Sequence, residues 1–439
     1  MSFTWNPVFN LVIKIKRDYI SKHNDIDYNT YTYIDCNKTK KTITCLEHWV
    51  MDLNNKEYND ILSPLQINQL GKLLLIRYGR YSDVFNGEND VTNENFWDIY
   101  DGFYKECRSI VIDVDNEEII LSPFKKFRNL NEGEENNIEN ITEKIKTAEC
   151  VEITNKLDGS MQSARYYDHK ITMSGSQAID HSTSWRLQDG YSLLMSQPNY
   201  IKMLEDFSDY TFIFEYISLK DAHVVNYKKE DEGLYVIGMR NVYTGNQLSY
   251  NKVKNIVNKY DVKMTEIFNK TFDEVMEDSK TLSSDKMEGY VLNVDGHLVK
   301  IKCDDYVQIH RVLSKISSIN LIIESIAENR FDDLVSKVPE TYRWRINKVA
   351  KLVLDYIKDT DVKVNGFFNL APKTSKKDFM IWIDANVPIV FRGYVRNKYL
   401  NKNINYLKGG NEKCPSYKKL KDMGIDENYS AIFADKEVI

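Results

Sequence analysis

A lysine amine has an ordinary pKa near about 10.4, so at neutral pH it attacks phosphorus only if its charge is penalised and its target is held. The stretch EITNKLDGSMQSARYY, Glu152 to Tyr167, carries parts suited to that chemistry: Lys156, one spacer, Asp158, Gly159 and Ser160, with strand-like residues ahead. Asp-Gly between two strands is also a strong hairpin signal, so the pentapeptide alone supports both a turn and a nucleophile. Five further strand-end signals accompany it. Upstream, ECRSI holds Arg108 and SPFKKFRNLNE holds Lys126; downstream, FEY holds Glu215, EGYV holds Glu288, and VKIK holds Lys300 and Lys302. Crowding Lys156 with these cations is expected to disfavour its ammonium form and then to neutralise phosphoryl oxygens. Glu288, with Glu215 or Asp158, offers hard oxygen ligands for Mg2+ or Mn2+. Gly159 is expected to permit a tight turn where a side chain would obstruct a phosphate.

Such residues must be carried by strands, and the chain supplies them. From Cys107 onward CRSIVIDV, EEIILSPF, KITMSGS, YTFIFEYIS, GLYVIGMRNV and EGYVLNV show β-branched enrichment or alternation, with turn residues between them, as antiparallel sheets do. In residues 1–100, which alternate short apolar and polar runs, LSPLQINQLGKLLLIRYGRYSD reads as a mixture of a helix and a strand. Beyond VKIKCDDYVQIHRVL the period changes, and INLIIESIAENRFDDLVSKV and RWRINKVAKLVLDYIKD place apolar residues at helical spacing. The expectation is an α+β chain: a body over 1–310, with 1–100 as its N-terminal subregion, and a basic, mostly α-helical domain over 311–439.

At 439 residues, two or three domains are expected. The longest apolar runs are far too short for a membrane span, the N-terminus has no secretion pattern, and the six cysteines show no CxxC pair. Reduced thiols in a cytosol follow, without a structural zinc site. Net charge is −6, but Arg343 to Lys421 contains 18 Lys+Arg against 6 Asp+Glu, leaving about −18 on the remainder. A basic segment on an acidic body suits a grip on a phosphate backbone, and RWRINK, FRGYVRNKYL and SYKKLK set aromatics among the cations. Trp344, Phe391 and Tyr394, taken singly, read better as helix-core residues. Abundant Asn, Lys, Ile and Tyr hint at an AT-rich, virus-like genome.

Taken in chain order, the motifs resemble the covalent nucleotidyltransferase superfamily of ATP-dependent ligases and capping enzymes, and most closely the bacteriophage RNA ligase 1 family. The resemblance runs from about residue 75 to 335. It makes KLDGS the family's KxDG motif and Lys156 the residue that takes AMP, with Asp158 beside it. Arg108 and Lys126 match positions that contact the nucleotide, Glu215 and Glu288 the acidic positions of motifs III and IV, and Lys300 and Lys302 the motif V lysines that hold the α-phosphate. RFDDLV resembles an acidic pair that can hold a metal, which points to Asp332, while EGLYVIG offers Leu234 or Tyr235 for adenine stacking. Two departures stand out: ITMSGSQAI lacks the family's basic residue, and Arg128 replaces an expected aromatic.

The resemblance implies an antiparallel-sheet nucleotidyltransferase domain followed by a helical substrate-specificity domain. It further implies ATP with Mg2+ or Mn2+, a lysyl–AMP intermediate, and RNA partners with 5′-phosphate and 3′-hydroxyl ends, such as cleaved tRNA. RNA repair by a monomer in the cytoplasm, or in a host cytoplasm if the source is viral, is the matching expectation, with no membrane partner. The alternatives are a DNA ligase or capping enzyme, which would ordinarily append a five-stranded barrel where this chain reads as helices, and a non-catalytic RNA-end-binding protein.

Overall fold

The computed structural model describes residues 3–36, 38–79, 97, 99–221, 224–316, 319–336, 338 and 343–407. The chain is α+β and divides into two compact units: Met1–Ser218 with Val225–Asp304, and Leu219–Val224 with Asp305–Ile439. The first unit holds thirteen described strands. A hairpin joins β1 (Tyr31–Ile34) to β2 (Lys40–Ile43), and β3 (Leu65–Leu70), β4 (Leu73–Tyr78), β5 (Arg108–Asp113) and β6 (Glu118–Leu121) form one antiparallel sheet in that order. The site is built by the other two sheets. One is ordered β13-β12-β7, from β7 (Val151–Asn155), β12 (Gly289–Val294) and β13 (His297–Lys302). The second is ordered β11-β10-β8-β9, from β8 (Ser160–Tyr167), β9 (Lys170–Gly175), β10 (Tyr210–Ile217) and β11 (Gly233–Asn241).

The strand-rich reading from Cys107 onward is met, but two local expectations are not. The helix expected within LSPLQINQLGKLLLIRYGRYSD is not met from Leu65 on: Leu65–Leu70 is strand β3, paired with β4 from Leu65↔Tyr78 to Leu70↔Leu73 around a turn at Gly71, whose φ is +59°. A glycine supplying positive φ between two short apolar runs outweighs the leucine-rich composition; residues 80–84 of that stretch lie outside the described residues. Nor does Asp158-Gly159 close a hairpin. β7 pairs with β12, whereas β8 pairs with β9 and β10, so the Lys156–Gly159 link carries the chain from one sheet to another.

Alternation settles which way each strand of the β13-β12-β7 sheet faces. Tyr290, Leu292, Val294, Val299 and Ile301 turn inward onto Ile141, Phe272 and Val275 of the helices Ile138–Thr147 and Phe272–Thr281. Each such side chain, once buried, contributes about 1.5–3 kcal/mol. The alternate residues Val291, Asn293, Leu298 and Lys300 line a cavity on the other face. The β12–β13 turn locks this phase: Asp295 and Gly296 have φ of 48° and 90°, as a type I′ turn requires, and register therefore runs from Val294↔His297 to Gly289↔Lys302. A one-residue slip would send both Lys300 and Lys302 into the core.

The second unit is helical among its described residues, as expected. Its helices include Ile319–Ala327, Phe331–Ser336, Arg343–Leu370, Lys376–Asn386 and Ile389–Tyr399. Phe391 and Tyr394 pack against a core of Val364, Phe379, Ile383 and Val395, so the core reading of those two rings holds. SYKKLK lies outside the described residues. No helix among the described residues is long and apolar enough to cross a membrane.

Candidate active site

Lys156 follows the last residue of β7, and its backbone N–H still bonds Gly289 O at 2.9 Å, extending the pairing with β12. Glu288 stands just before β12 and Lys302 ends β13, so the hairpin register alone sets them side by side. The ion pairs follow: Lys156 Nζ lies 2.7 Å from Glu288 Oε2, and Lys302 Nζ lies 2.8 Å from Glu288 Oε1. Glu288 is only 4% exposed. Burial pushes its pKa up, but Lys156 and Lys302 outweigh that and hold it below the usual carboxylate range.

This geometry revises the expectation about the nucleophile. The nearest charged group to Lys156 is a carboxylate, not one of the cations. The crowding by cations falls on Lys300 instead. Burial, then Arg108, Lys126, Lys156 and Lys302, hold Lys300 well below an ordinary lysine. Its ammonium nitrogen lies 4.6 Å from the centre of the Phe127 ring, and the Arg108 guanidinium lies 5.0 Å from the same ring. Phe127 thus gathers two cations at the cavity wall, a role the sequence reading missed although the residue stood in SPFKKFRNLNE. Arg108 opens β5 beside an irregular pairing with β4, and the next residue, Ser109, has φ of 68°. Such bulges re-aim a side chain.

Glu215 reaches the cavity from β10, where it pairs with Met161 and Tyr235, and its Oε1 accepts the Gly159 N–H at 3.1 Å. Burial raises its pKa to about 7, only partly offset by Lys156 and Arg108. Gly159 is required here by proximity rather than by an unusual φ: a Cβ would lie 2.6 Å from Tyr216 O and 2.8 Å from Glu215 Cγ. Asp158 is braced by the segment after β10. Its N–H donates to Tyr227 Oη at 2.8 Å, and its Oδ2 accepts the Val225 N–H at 3.1 Å. Tyr227 also went unrecognised in the sequence, since nothing near it in the chain marks it.

A cavity of about 120 Å³ brings Arg108, Lys156, Glu215 and Lys300 together, with Thr154, Met161, Ile237, Met264 and Val291 among its walls. Lys126 is not among its lining residues; burial, then Arg108, lowers its pKa, and its ammonium lies 5.2 Å from the Trp97 ring centre. Leu234 is a core residue and Tyr235 donates its hydroxyl to Asp231 O at 2.9 Å; neither lines the cavity, whereas Ile237 and Gly238 of the same strand do. Asp332 lies in the second unit, exposed in the short helix Phe331–Ser336 next to Asp333. The described residues contain no group of three or more His, Cys, Asp and Glu side chains able to hold a metal. Glu215 and Glu152 line the cavity, Glu152 being taken up by the Tyr250 N–H and Asn293 Nδ2, while Glu288 lies beside it in contact with Lys156; Glu215 and Glu288 are the candidate hard-oxygen donors. That set suits Mg2+ in its usual manner, with one or two carboxylates, water and substrate phosphates completing the shell.

The cavity is walled by apolar residues together with Arg108, Lys156, Glu215 and Lys300, and Lys156 also contacts Glu288, which Lys302 pairs from the other side. Residues 106–306 match the RNA ligase family model, and that segment contains every site residue discussed above except Asp332. Solved structures similar to this chain include Naegleria gruberi RNA ligase with pyrophosphate, at 18% identity over 42% of this chain and 57% of that one, with a TM-score of 0.34. A point mutant of the same enzyme with ATP and Mn matches at 13% identity over 67% of this chain and 82% of that one, TM-score 0.34. An Aquifex aeolicus protein described as a candidate ATP-dependent DNA ligase matches at 15% identity over 68% and 71%, TM-score 0.39. The chain thus spans under two-thirds of the pyrophosphate-bound Naegleria enzyme.

Proposed function

We propose that this chain is an ATP-dependent RNA ligase that joins 5′-phosphate and 3′-hydroxyl RNA ends through a lysyl–AMP intermediate. The observation that carries the reading is the position of Lys156, at the mouth of a cavity shared with Arg108, Glu215 and Lys300, on a segment matched by the RNA ligase family. Lys156 must shed a proton and leave Glu288 before it can attack. Its nitrogen then forms a P–N bond to the α-phosphorus of ATP as the P–O bond to pyrophosphate breaks. AMP passes from Lys156 to an RNA 5′-phosphate, restoring the amine. A 3′-hydroxyl then makes the phosphodiester bond, releasing AMP and a proton.

Arg108, Lys300 and Lys302 neutralise the phosphoryl oxygens, which is where most of the catalysis of phosphoryl transfer arises. Glu288 and Glu215 would hold Mg2+ or Mn2+, partly through water, and the ion would supply further neutralisation of the triphosphate. Asp332 is proposed as a further metal-binding residue of the second unit. The same reading takes broken RNA, cleaved tRNA among it, as the substrate of a monomeric repair enzyme in the cytoplasm.

Incubation with α-labelled ATP and Mg2+ is expected to label the protein covalently, and Lys156→Ala to abolish the label. A label persisting in that variant would remove Lys156 from its role, and labelling by GTP in place of ATP would favour capping chemistry.

A further inference from the structure

At the far end of the β12–β13 hairpin from Lys156 lies a second cavity, of about 860 Å³. It shares Phe127, Gln247, Leu248 and Leu298 with the nucleotide cleft. Lys105, Lys125, Lys126, Arg128 and Lys252 line it, contributed by three separate stretches of chain. Its two acidic lining residues are already engaged. Asp295 accepts the backbone N–H groups of Glu149 and Cys150 at 3.1 and 2.8 Å, and Glu135 lies 3.6 Å from Lys105. Lys252 is exposed and forms no ion pair among the described residues, while the Lys125 side chain is 60% exposed and lies 3.5 Å from Glu106. Arg128, the cation standing where the family resemblance expects an aromatic, is 4% exposed and part of this wall. On the same wall, burial, then Lys144 from outside the basin, lower the pKa of His297.

Charge spread around a basin of this size does not converge on one small anion. The volume sits near the top of the about 300–1,000 Å³ range of small-molecule clefts. Phe127 and Tyr210 stand among the cations, and rings beside spaced positive charges suit unpaired bases attached to a phosphate backbone. Lys126 connects the two cavities electrostatically, since it lines the basin yet its charge is penalised by Arg108 and Lys302.

We propose that this basin binds the phosphate backbone of single-stranded RNA leading to the end that is joined. The proposal rests on the RNA ligase reading, and its test separates the two. In the full chain, Lys125→Ala/Lys252→Ala is compared with wild type for binding of a 5′-phosphorylated, 3′-fluorescein-labelled single-stranded RNA over a KCl series, alongside covalent labelling by α-labelled ATP. The expected result is about tenfold weaker RNA binding and a salt slope shallower by about 1.4, at about 0.7 per lost single-strand phosphate contact, with labelling unchanged. Lys125→Arg/Lys252→Arg is expected to keep wild-type affinity and slope. Unchanged affinity and slope in the alanine variant would overturn the basin assignment, as would loss of labelling in step with loss of RNA binding. So would displacement of the RNA by inorganic pyrophosphate at equal effect on both proteins. Failure of the wild type to take label would strike the ligase reading instead, while the affinity comparison would still decide the basin.

Discussion

Two carboxylates flank Lys156, one from each of the two sheets, and the sheets treat them in opposite ways. On the β13-β12-β7 wall Glu288 touches two ammonium groups and is held below the usual carboxylate range. On the β8–β10 wall Glu215 accepts a backbone N–H and forms no ion pair among the described residues, and burial lifts it to about 7. Burial raises both, so direct contact with cations, rather than depth, decides which of them stays charged. One wall is thus a fixed negative clamp for cations, and the other a group that changes protonation near neutrality.

Four changes would break or sharpen that contrast. The largest effect is expected from Glu288→Ala, which leaves Lys156 and Lys302 facing each other without their counterion. Adenylylation should fall by more than about 10²-fold, the scale of removing one preorganised electrostatic partner. Stability should also fall, though by less than the about 3–5 kcal/mol of a sealed pair, because both lysines keep some solvent. A melt within experimental error of wild type would mean that the clamp contributes nothing to the fold.

Gly159→Ala comes next. Its Cβ must displace either the Tyr216 carbonyl or the Glu215 side chain, moving one wall relative to the Lys156 turn. Misplacement on this scale costs about 10²-fold, and a single-turnover measurement of lysine labelling would register it.

Glu215→Gln should alter the pH dependence of stability more than its maximum. The folded chain holds a proton on Glu215 that the unfolded chain releases above about pH 4.5, so wild-type stability must decline as pH rises from there to about 7. Glutamine removes that decline. Glu288 works with the opposite sign: its contribution is present above the ordinary carboxylate pKa and is lost as pH falls through its lowered one. Urea titrations of both proteins from pH 4 to 8 would test the pair, and superimposable slopes would refute the assignment to Glu215.

The smallest effect is expected from Phe127→Leu. Two cation–ring contacts disappear, each of about 0.5–1 kcal/mol at partly exposed sites, while apolar volume is largely kept. A rise of a few-fold in the KM for ATP with little change in kcat would fit a wall that only gathers Arg108 and Lys300.

The contrast also marks where local sequence carries information and where it stops. The hairpin that pairs Gly289 with Lys302 was legible, because VLNVDGHLVKIK states its alternation and its turn within twelve residues. The helical texture beyond residue 310 was legible for the same reason. Leu65–Leu70 was misread because a leucine-rich run gives no clear period, and pairing with β4 resolved it. The part played by Phe127 and Tyr227 had no local signal at all, since each acts on a group that a different strand delivers.

The sequence by itself determined the residue types, their order and the phase of strands whose alternation is plain, such as β12 and β13, for these follow from short-range sterics and from burying one face of a pleated ribbon. Only the tertiary structure decided that Lys156 rests against Glu288, and that Glu215 has no such ion pair among the described residues. Those outcomes depend on distances across sheets, and Coulomb interactions with desolvation are set by distance and enclosure, not by spacing along the chain.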